Sequence, residues 1–418
     1  MAGLGSGRGV RCSLTVLVLT LAAALAVGCK SALDLKAVIE DRVAQANFEY
    51  GTKTLLTGQK YAASVAVNGS KVYVLYYDSA AQNLCVVKSS DGGKSWNAPY
   101  TVDSTVDYYG VCNNLVVDQN HIYICYYASR GPDTDYFVEL TDTGSSFSSS
   151  NFQAVSTYKG YPYGYESSIS FDNTNVYIVY SAGGAPAYTY AAKGTTMSFL
   201  AQPIPIDASF PNPAGSNGNR KRSSIYADGN NVNVSYSDNV QNRLRIATFA
   251  PSGAGLPMTV TDLNIGGAAS TDYPSLSEAG TILDVYYDGT AKALRCYEHY
   301  SYVSGLNLFI VSKAITIDSS STNVGSNCRL VYTTSDSTAY VAYYDATNKQ
   351  LKFASGQQNK SITPPDFQFN TSVLATVGGT NFDCSMATDG TSLYIVYFDS
   401  SGTGALKIAK SADGGLTW

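Results

Sequence analysis

Charge is scarce in this 418-residue chain: Asp, Glu, Lys and Arg together make 14% of it, and histidine occurs only as His121 and His299. Two histidines with no CxxC pair argue against a zinc site, and no metal or cofactor is expected. The net charge of −5 and a pI of about 5.1 leave no basic face for nucleic acid. No G-x-S-x-G elbow, P-loop or dinucleotide fingerprint stands in a strand–helix context, so those catalytic arrangements are not indicated. Long apolar runs are also missing. The one candidate, Leu14 to Val27, falls short of the roughly 20 residues a helical membrane span needs.

In place of charge the chain has 34 tyrosines and 37 glycines, with abundant Ser, Thr and Asn. β-formers combined with turn formers suit an all-β protein outside the cytoplasm. Export is also what the N-terminus suggests. Arg8 and Arg11 precede the apolar run, which ends at Leu25-Ala26-Val27-Gly28-Cys29. That end resembles the bacterial lipobox, which implies a signal peptide over 1–28, lipid on Cys29, and attachment to a membrane, periplasmic or cell-surface, without crossing it. Ala26 stands where Leu is commonest; cleavage by ordinary signal peptidase and an uncleaved anchor are the other readings. Residues 31–46 carry Leu35, Val38, Ile39 and Val43 at helical spacing behind Ser31, so 29–47 reads as a helical stalk.

Residues 48–418 repeat one unit. An apolar, Tyr-rich run recurs as KVYVLYYD, HIYICYYA, NVYIVYSA, NVNVSYSD, TILDVYYD, TAYVAYYD and SLYIVYFD. The equivalent tyrosines are Tyr76, Tyr126, Tyr180, Tyr236, Tyr286, Tyr343 and Tyr397, spaced 50, 54, 56, 50, 57 and 54 residues apart. Such a period is one four-stranded propeller blade. A short inner strand precedes each Tyr-rich strand and a third strand such as NLCVVKS or ALKIAKS follows. The expected fold is an all-β, seven-bladed β-propeller, with six blades as the alternative if one unit is an insertion. Residues 52–58 read as an outer strand that completes the last blade and closes the ring.

Two octets fix the phase of the repeat: Ser89-Ser90-Asp91-Gly92-Gly93-Lys94-Ser95-Trp96 and Ser411-Ala412-Asp413-Gly414-Gly415-Leu416-Thr417-Trp418. Asp is expected to bond the turn backbone, Gly to take positive φ, and Trp to fold back as an apolar plug. Residues 140–147 and 192–199 look like eroded copies. The octets resemble the Asp-box, or bacterial neuraminidase repeat, of sialidase-like propellers. The resemblance gives Asp91, Gly93, Trp96, Asp413, Gly415 and Trp418 a structural part on the rim.

A propeller's ligand usually sits where the inner strands begin. Residues there include Tyr61, Asp272, Asn327 and, as the binding candidates, Tyr109, Tyr165, Glu166, Arg222, Tyr273, Arg329 and Asp383. Tyrosine faces stack on sugars while their hydroxyls hydrogen-bond. Resemblance to sialidases would imply a Tyr nucleophile assisted by Glu, an Asp acid/base and three carboxylate-binding arginines. The Arg-Ile-Pro motif of that family is absent and arginine is sparse, so no residue is assigned as catalytic. The carboxylates Asp78, Asp238, Asp288, Asp345 and Asp399 recur in five of the seven units, which argues for a turn role. The reading is a binding or adhesion propeller of the cell envelope, for a glycan or a surface protein, with a sialidase-like hydrolase as the alternative. Six cysteines in the body (Cys85, Cys112, Cys125, Cys296, Cys328 and Cys384) allow either three disulfides or buried thiols.

Overall fold

A computed structural model describes residues 51–104, 114–129, 133–157, 167–182, 185–192, 199, 204–206, 223–238, 243–250, 259–262, 271–278, 281–300, 311–333, 335–359, 366–378 and 382–418. The signal segment, Cys29 and the helix expected over 31–46 lie outside the described residues. Among those described, no helix is long and apolar enough to cross a membrane.

Among the described residues the first strand is β1 (Gly51–Thr57), and the strands form seven four-stranded antiparallel sheets. The first holds β2 (Lys60–Asn68), β3 (Lys71–Asp78), β4 (Asn83–Ser89) and β5 (Tyr100–Asp103). The second holds β6 (Asn114–Asp118), β7 (His121–Ser129), β8 (Asp133–Asp142) and β9 (Phe147–Thr157). The third holds β10 (Ser168–Phe171), β11 (Asn175–Ala182), β12 (Ala185–Ala192) and β13 (Ile204–Pro205). The fourth holds β14 (Ser224–Ala227), β15 (Val232–Asp238), β16 (Arg243–Phe249) and β17 (Thr259–Asp262). The fifth holds β18 (Thr271–Glu278), β19 (Thr281–Asp288), β20 (Ala293–Tyr300) and β21 (Val311–Asp318). The sixth holds β22 (Val324–Thr333), β23 (Thr338–Asp345), β24 (Gln350–Asn359) and β25 (Asp366–Thr376). The seventh holds β26 (Cys384–Thr388), β27 (Leu393–Asp399) and β28 (Ala405–Ser411), with β1 as its fourth strand.

The inner strands β2, β6, β10, β14, β18, β22 and β26 each touch the next, and β26 touches β2, so the sheets form a closed β-propeller. β1 seals it by pairing antiparallel with β28 from Gly51↔Lys410 to Thr57↔Ala405. A strand from the chain's start thus covers an edge at its end, leaving no open ladder there.

Each sheet is packed between two others, and this explains the composition. A half-buried strand would alternate; instead β3 is buried from Val72 through Tyr77 and β27 along its whole length. All seven anchor tyrosines are buried on second strands. Burial pushes the Tyr397 hydroxyl up to about 12, with smaller influences from Thr52 and Asp399. At Tyr126 and Tyr343 the ring fills the joint while the hydroxyl reaches a polar partner, whereas the buried hydroxyls of Tyr180 and Tyr286 make no hydrogen bond among the described residues. Tyr126 donates to Asp103 Oδ2 at 2.5 Å and Tyr343 to Asp318 Oδ2 at 2.7 Å. Each of those aspartates ends the outer strand of the preceding sheet, so the bond clips neighbouring sheets together. Five of the body cysteines (Cys85, Cys125, Cys296, Cys328 and Cys384) are buried free thiols, and Cys112 lies outside the described residues. Burial pushes the Cys125 thiol up to about 12.

Candidate functional site

The recurring carboxylates are spent in turns. Asp78 Oδ1 accepts the amides of Ala80 and Ala81, Asp288 Oδ1 those of Thr290 and Ala291, and Asp345 Oδ1 those of Thr347 and Asn348. These are side chains mimicking a backbone turn. A cation holds three of the series: Lys60 lies 2.6 Å from Asp78, Arg295 3.1 Å from Asp288 and Lys407 2.7 Å from Asp399. Burial opposes ionisation of Asp399, but Lys407, Ser401 and the Gly378 amide outweigh it and hold the carboxyl well below its usual range.

The two octets are wedges between sheets. In the first, Ser89 donates to Asp91 Oδ1 at 2.7 Å and accepts the Gly93 amide at 2.8 Å; Ser95 donates its amide to Asp91 Oδ1 at 2.9 Å. The second repeats this: Ser411 to Asp413 at 2.7 Å, the Gly415 amide to Ser411 at 2.8 Å, and the Thr417 amide to Asp413 at 2.9 Å. Gly93 at φ 89° and Gly415 at φ 85° take the left-handed conformation. The aromatic then inserts against the preceding sheet. Trp96 packs against the cluster that Val72 and Val74 of the first sheet form with Tyr394 and Ile408 of the seventh, while Trp418 meets Phe353 of the sixth edge-on, 4.9 Å between centroids.

Both eroded copies keep the wedge, and the first loses the loop. Phe147 packs on Tyr73 and Tyr100 of the first sheet, and Phe199 on Phe137 of the second. At 140–147 the third strand runs on through Asp142, which the sequence places in the turn. Asp142 turns into the joint instead. It accepts Lys88 Nζ at 2.8 Å, the Tyr73 hydroxyl at 2.8 Å and the Gly144 amide at 2.9 Å. Of the copy at 192–199, residues 193–198 lie outside the described residues.

Where the inner strands begin, the structure brings two candidates together. Arg329 on β22 and Asp383, just before β26, are 3.4 Å apart across the joint of the sixth and seventh sheets. Arg329 Nη1 also donates to the Cys328 carbonyl at 3.0 Å, and Asp383 Oδ1 accepts the Cys384 amide at 3.0 Å. Beside them Asn327, at φ 49° and buried, donates to the Phe382 carbonyl at 2.8 Å. Both charged side chains keep about a fifth of their surface open, at 24% and 19%. Tyr61, in contrast, packs edge-on to Phe398 with its hydroxyl on Gln59, a structural position. Tyr109, Tyr165, Glu166 and Arg222 lie outside the described residues. Tyr273 falls in the irregular stretch of β18 between Asp272 and Ser275; only its backbone is described.

Sequence reasoning passed over Asp103, Asp318, Lys88 and Lys352. Lys352 Nζ donates to Asp318 Oδ2 at 2.5 Å and to Ser320 Oγ at 2.9 Å. The available signal was an Asp closing the outer strands, as in YTVD, TVTD and TID. Among the described residues no group of three or more His, Cys, Asp or Glu could hold a metal ion.

No family model matches the chain, and no curated protein does. Among solved structures it is similar to phage phi92 endosialidase, at 12% identity over 87% of this chain and 69% of that one, with a TM-score of 0.48. It is also similar to Trypanosoma rangeli sialidase in complex with 2,3-difluorosialic acid, at 12% identity over 85% of this chain, TM-score 0.44. The chain covers 54% of that sialidase. A third likeness, at 14% identity and TM-score 0.40, is to the GH43_1 enzyme from Xanthomonas citri complexed with xylotriose, over 90% of this chain and 95% of that one.

Proposed function

We propose that this chain is an exported envelope lipoprotein, held to the membrane through Cys29, whose propeller binds a hydroxyl-rich ligand, a glycan, where the inner strands begin. The observation that carries the binding site is the partly open Arg329–Asp383 pair. A sugar hydroxyl both donates and accepts, and here a guanidinium donor stands beside a carboxylate acceptor on two adjoining sheets. The Asn327 bond to Phe382 fixes that joint, so the pair is held by rigid strands. The lipobox-like end of the apolar run supports the envelope assignment.

The test is a glycan array probed with the full chain in detergent micelles. Binding is expected, and Arg329→Ala and Asp383→Ala are expected to weaken it by about tenfold, roughly one charge-assisted hydrogen bond. An empty array, or binding indifferent to both substitutions, overturns the site. Turnover of a fluorogenic sialoside that disappears in Arg329→Ala would replace binding with sialidase-like hydrolysis. Labelling with an alkyne-bearing fatty acid should mark the wild type in bacteria and not Cys29→Ser.

A further inference from the structure

A concavity lies where β22 and β26 end, at Thr333 and Thr388. A cleft of about 840 Å³ opens between the sixth and seventh sheets, beside the turn Ala412–Leu416. Register explains its existence. Lys88 stands opposite Tyr73 and Lys410 opposite Tyr394, each on a third strand. Both lysines fill the joint to the following sheet: Lys88 reaches Asp142 and the Gly144 carbonyl, at 2.8 and 3.0 Å, and Lys410 reaches the Gly92 carbonyl at 3.1 Å. In the sixth sheet the residue opposite Tyr340 is Ser355. A side chain of one carbon leaves that joint unfilled, and the cleft occupies it.

The cleft's chemistry is uniform. The β24–β25 ladder runs on past Ser355 to Asn359↔Asp366, so one wall is a projecting hairpin. On it Ser355 pairs with Asn370 and Gln357 with Gln368; residues directly opposite share a face, and all four line the cleft. Side-chain amides offer donors and acceptors together. Two carboxylates, Asp336 and Asp413, also line it, and among the described residues no Lys or Arg does. Both are occupied within the fold. Asp336 takes the Thr333 hydroxyl, the Thr338 amide and the Tyr340 hydroxyl; Asp413 takes Ser411 and Thr417. An anion would meet two negative charges and no counter-charge, and a cation would find the carboxylates engaged. Leu416, 84% exposed on the rim, supplies an apolar contact. The volume falls within the range of about 300–1,000 Å³ usual for small-ligand sites.

We infer that this cleft is a second ligand site, distinct from the Arg329–Asp383 pair, that takes an uncharged oligosaccharide. Its hydroxyls match the amide ladder, and the C–H face of a ring matches Leu416.

Cellohexaose, xylohexaose and maltohexaose, with hexagalacturonate as the charged control, would be titrated calorimetrically into the full chain. At least one neutral hexasaccharide should bind with a Kd below about 1 mM, and the galacturonate should bind at least about tenfold more weakly. Ser355→Lys, which installs the side chain found at this register position in the first and seventh sheets, should abolish binding and keep the thermal midpoint. The exposed Gln357→Ala and Asn370→Ala should each weaken it about tenfold, which keeps the proposal testable if Ser355→Lys misfolds. Arg329→Ala should leave this binding unchanged, which separates it from the site proposed above. The inference is overturned if no neutral hexasaccharide binds at about 10 mM, if hexagalacturonate binds better, or if binding survives the substitutions that fold.

Discussion

The joint between the first two sheets permits a sharp test, because it buries an ion pair. Lys88 and Asp142 are 2.8 Å apart with 2% and 0% of their side-chain surface exposed. Tyr73 and the Gly144 amide complete the carboxylate's partners, and Lys71 adds a second cation at 3.3 Å. Removing one member strands the other in a dry joint, which costs about 3–5 kcal/mol. Lys88→Met and Asp142→Asn should each destabilise by that order. The double variant removes both charges, so its loss should fall short of the sum by about 2–3 kcal/mol, a coupling of the size seen between contacting residues. Urea denaturation followed by tryptophan fluorescence reads all three. Strict additivity would refute the account, since it would mean that the two charges do not depend on each other.

Acid provides an independent reading of the same pair. Burial resists ionisation of Asp142, but Lys88, Gly144, Tyr73 and Lys71 outweigh it and bring its pKa from 3.8 down to about 2. A carboxyl depressed in the folded state stabilises fully above its unfolded pKa and loses that contribution as pH falls through the folded value. The loss should therefore fall between about pH 4 and pH 2 and amount to about 2 kcal/mol. Asp142→Asn should flatten the stability curve in that window. Among the described residues the remaining slope belongs to Asp78, Asp91, Asp318, Asp336, Asp399 and Asp413, which are also lowered.

Three further outcomes follow from the turns and the closure. Gly415→Ala puts a Cβ onto the Phe353 ring at φ 85°, and should cost about 2–4 kcal/mol in the urea midpoint; Gly69→Ala, at φ 57° with open space around it, should cost about 1. Asp91→Ala removes the acceptor of the Ser89 hydroxyl and the Ser95 amide and should cost about 1–2 kcal/mol, without altering oligosaccharide binding at the sixth–seventh joint. Removing residues 51–57 exposes the ladder of β28, so size-exclusion chromatography should show self-association that the intact chain lacks; a monomer of unchanged stability would contradict the pairing.

Much of the scaffold could be read in the residues, because its signals are local. Seven tyrosines at a period near 54 residues mark the second strands, and Asn83–Ser89 and Ala405–Ser411 are third strands as their apolar patterns suggest. Asp78 and its equivalents cap turns because an Asp bonds amides two and three residues ahead, a matter of adjacency in the chain. The octets are legible for the same reason, since Ser, Asp and Gly bond one another within four residues.

What joins one sheet to the next involves residues far apart in the chain. Lys410 reaches Gly92 across 318 positions, the Val65 amide reaches Ser385 across 320, and Gln59 reaches Thr403 across 344. No spacing announces such partners. For the same reason Asp142 reads as a turn residue until Lys88 is seen beside it, and Ser355 reads as an ordinary serine until the lysines in register with it show what it leaves open. Arg329 and Asp383 were each nominated by position, but their contact is a property of the closed ring. The sequence by itself determined the repeat, its strands and its turns, because each is settled by interactions a few residues long. Only the tertiary structure decided which side chains meet at the joints, because those contacts exist once β1 has paired with β28 and all the sheets are pressed against their neighbours.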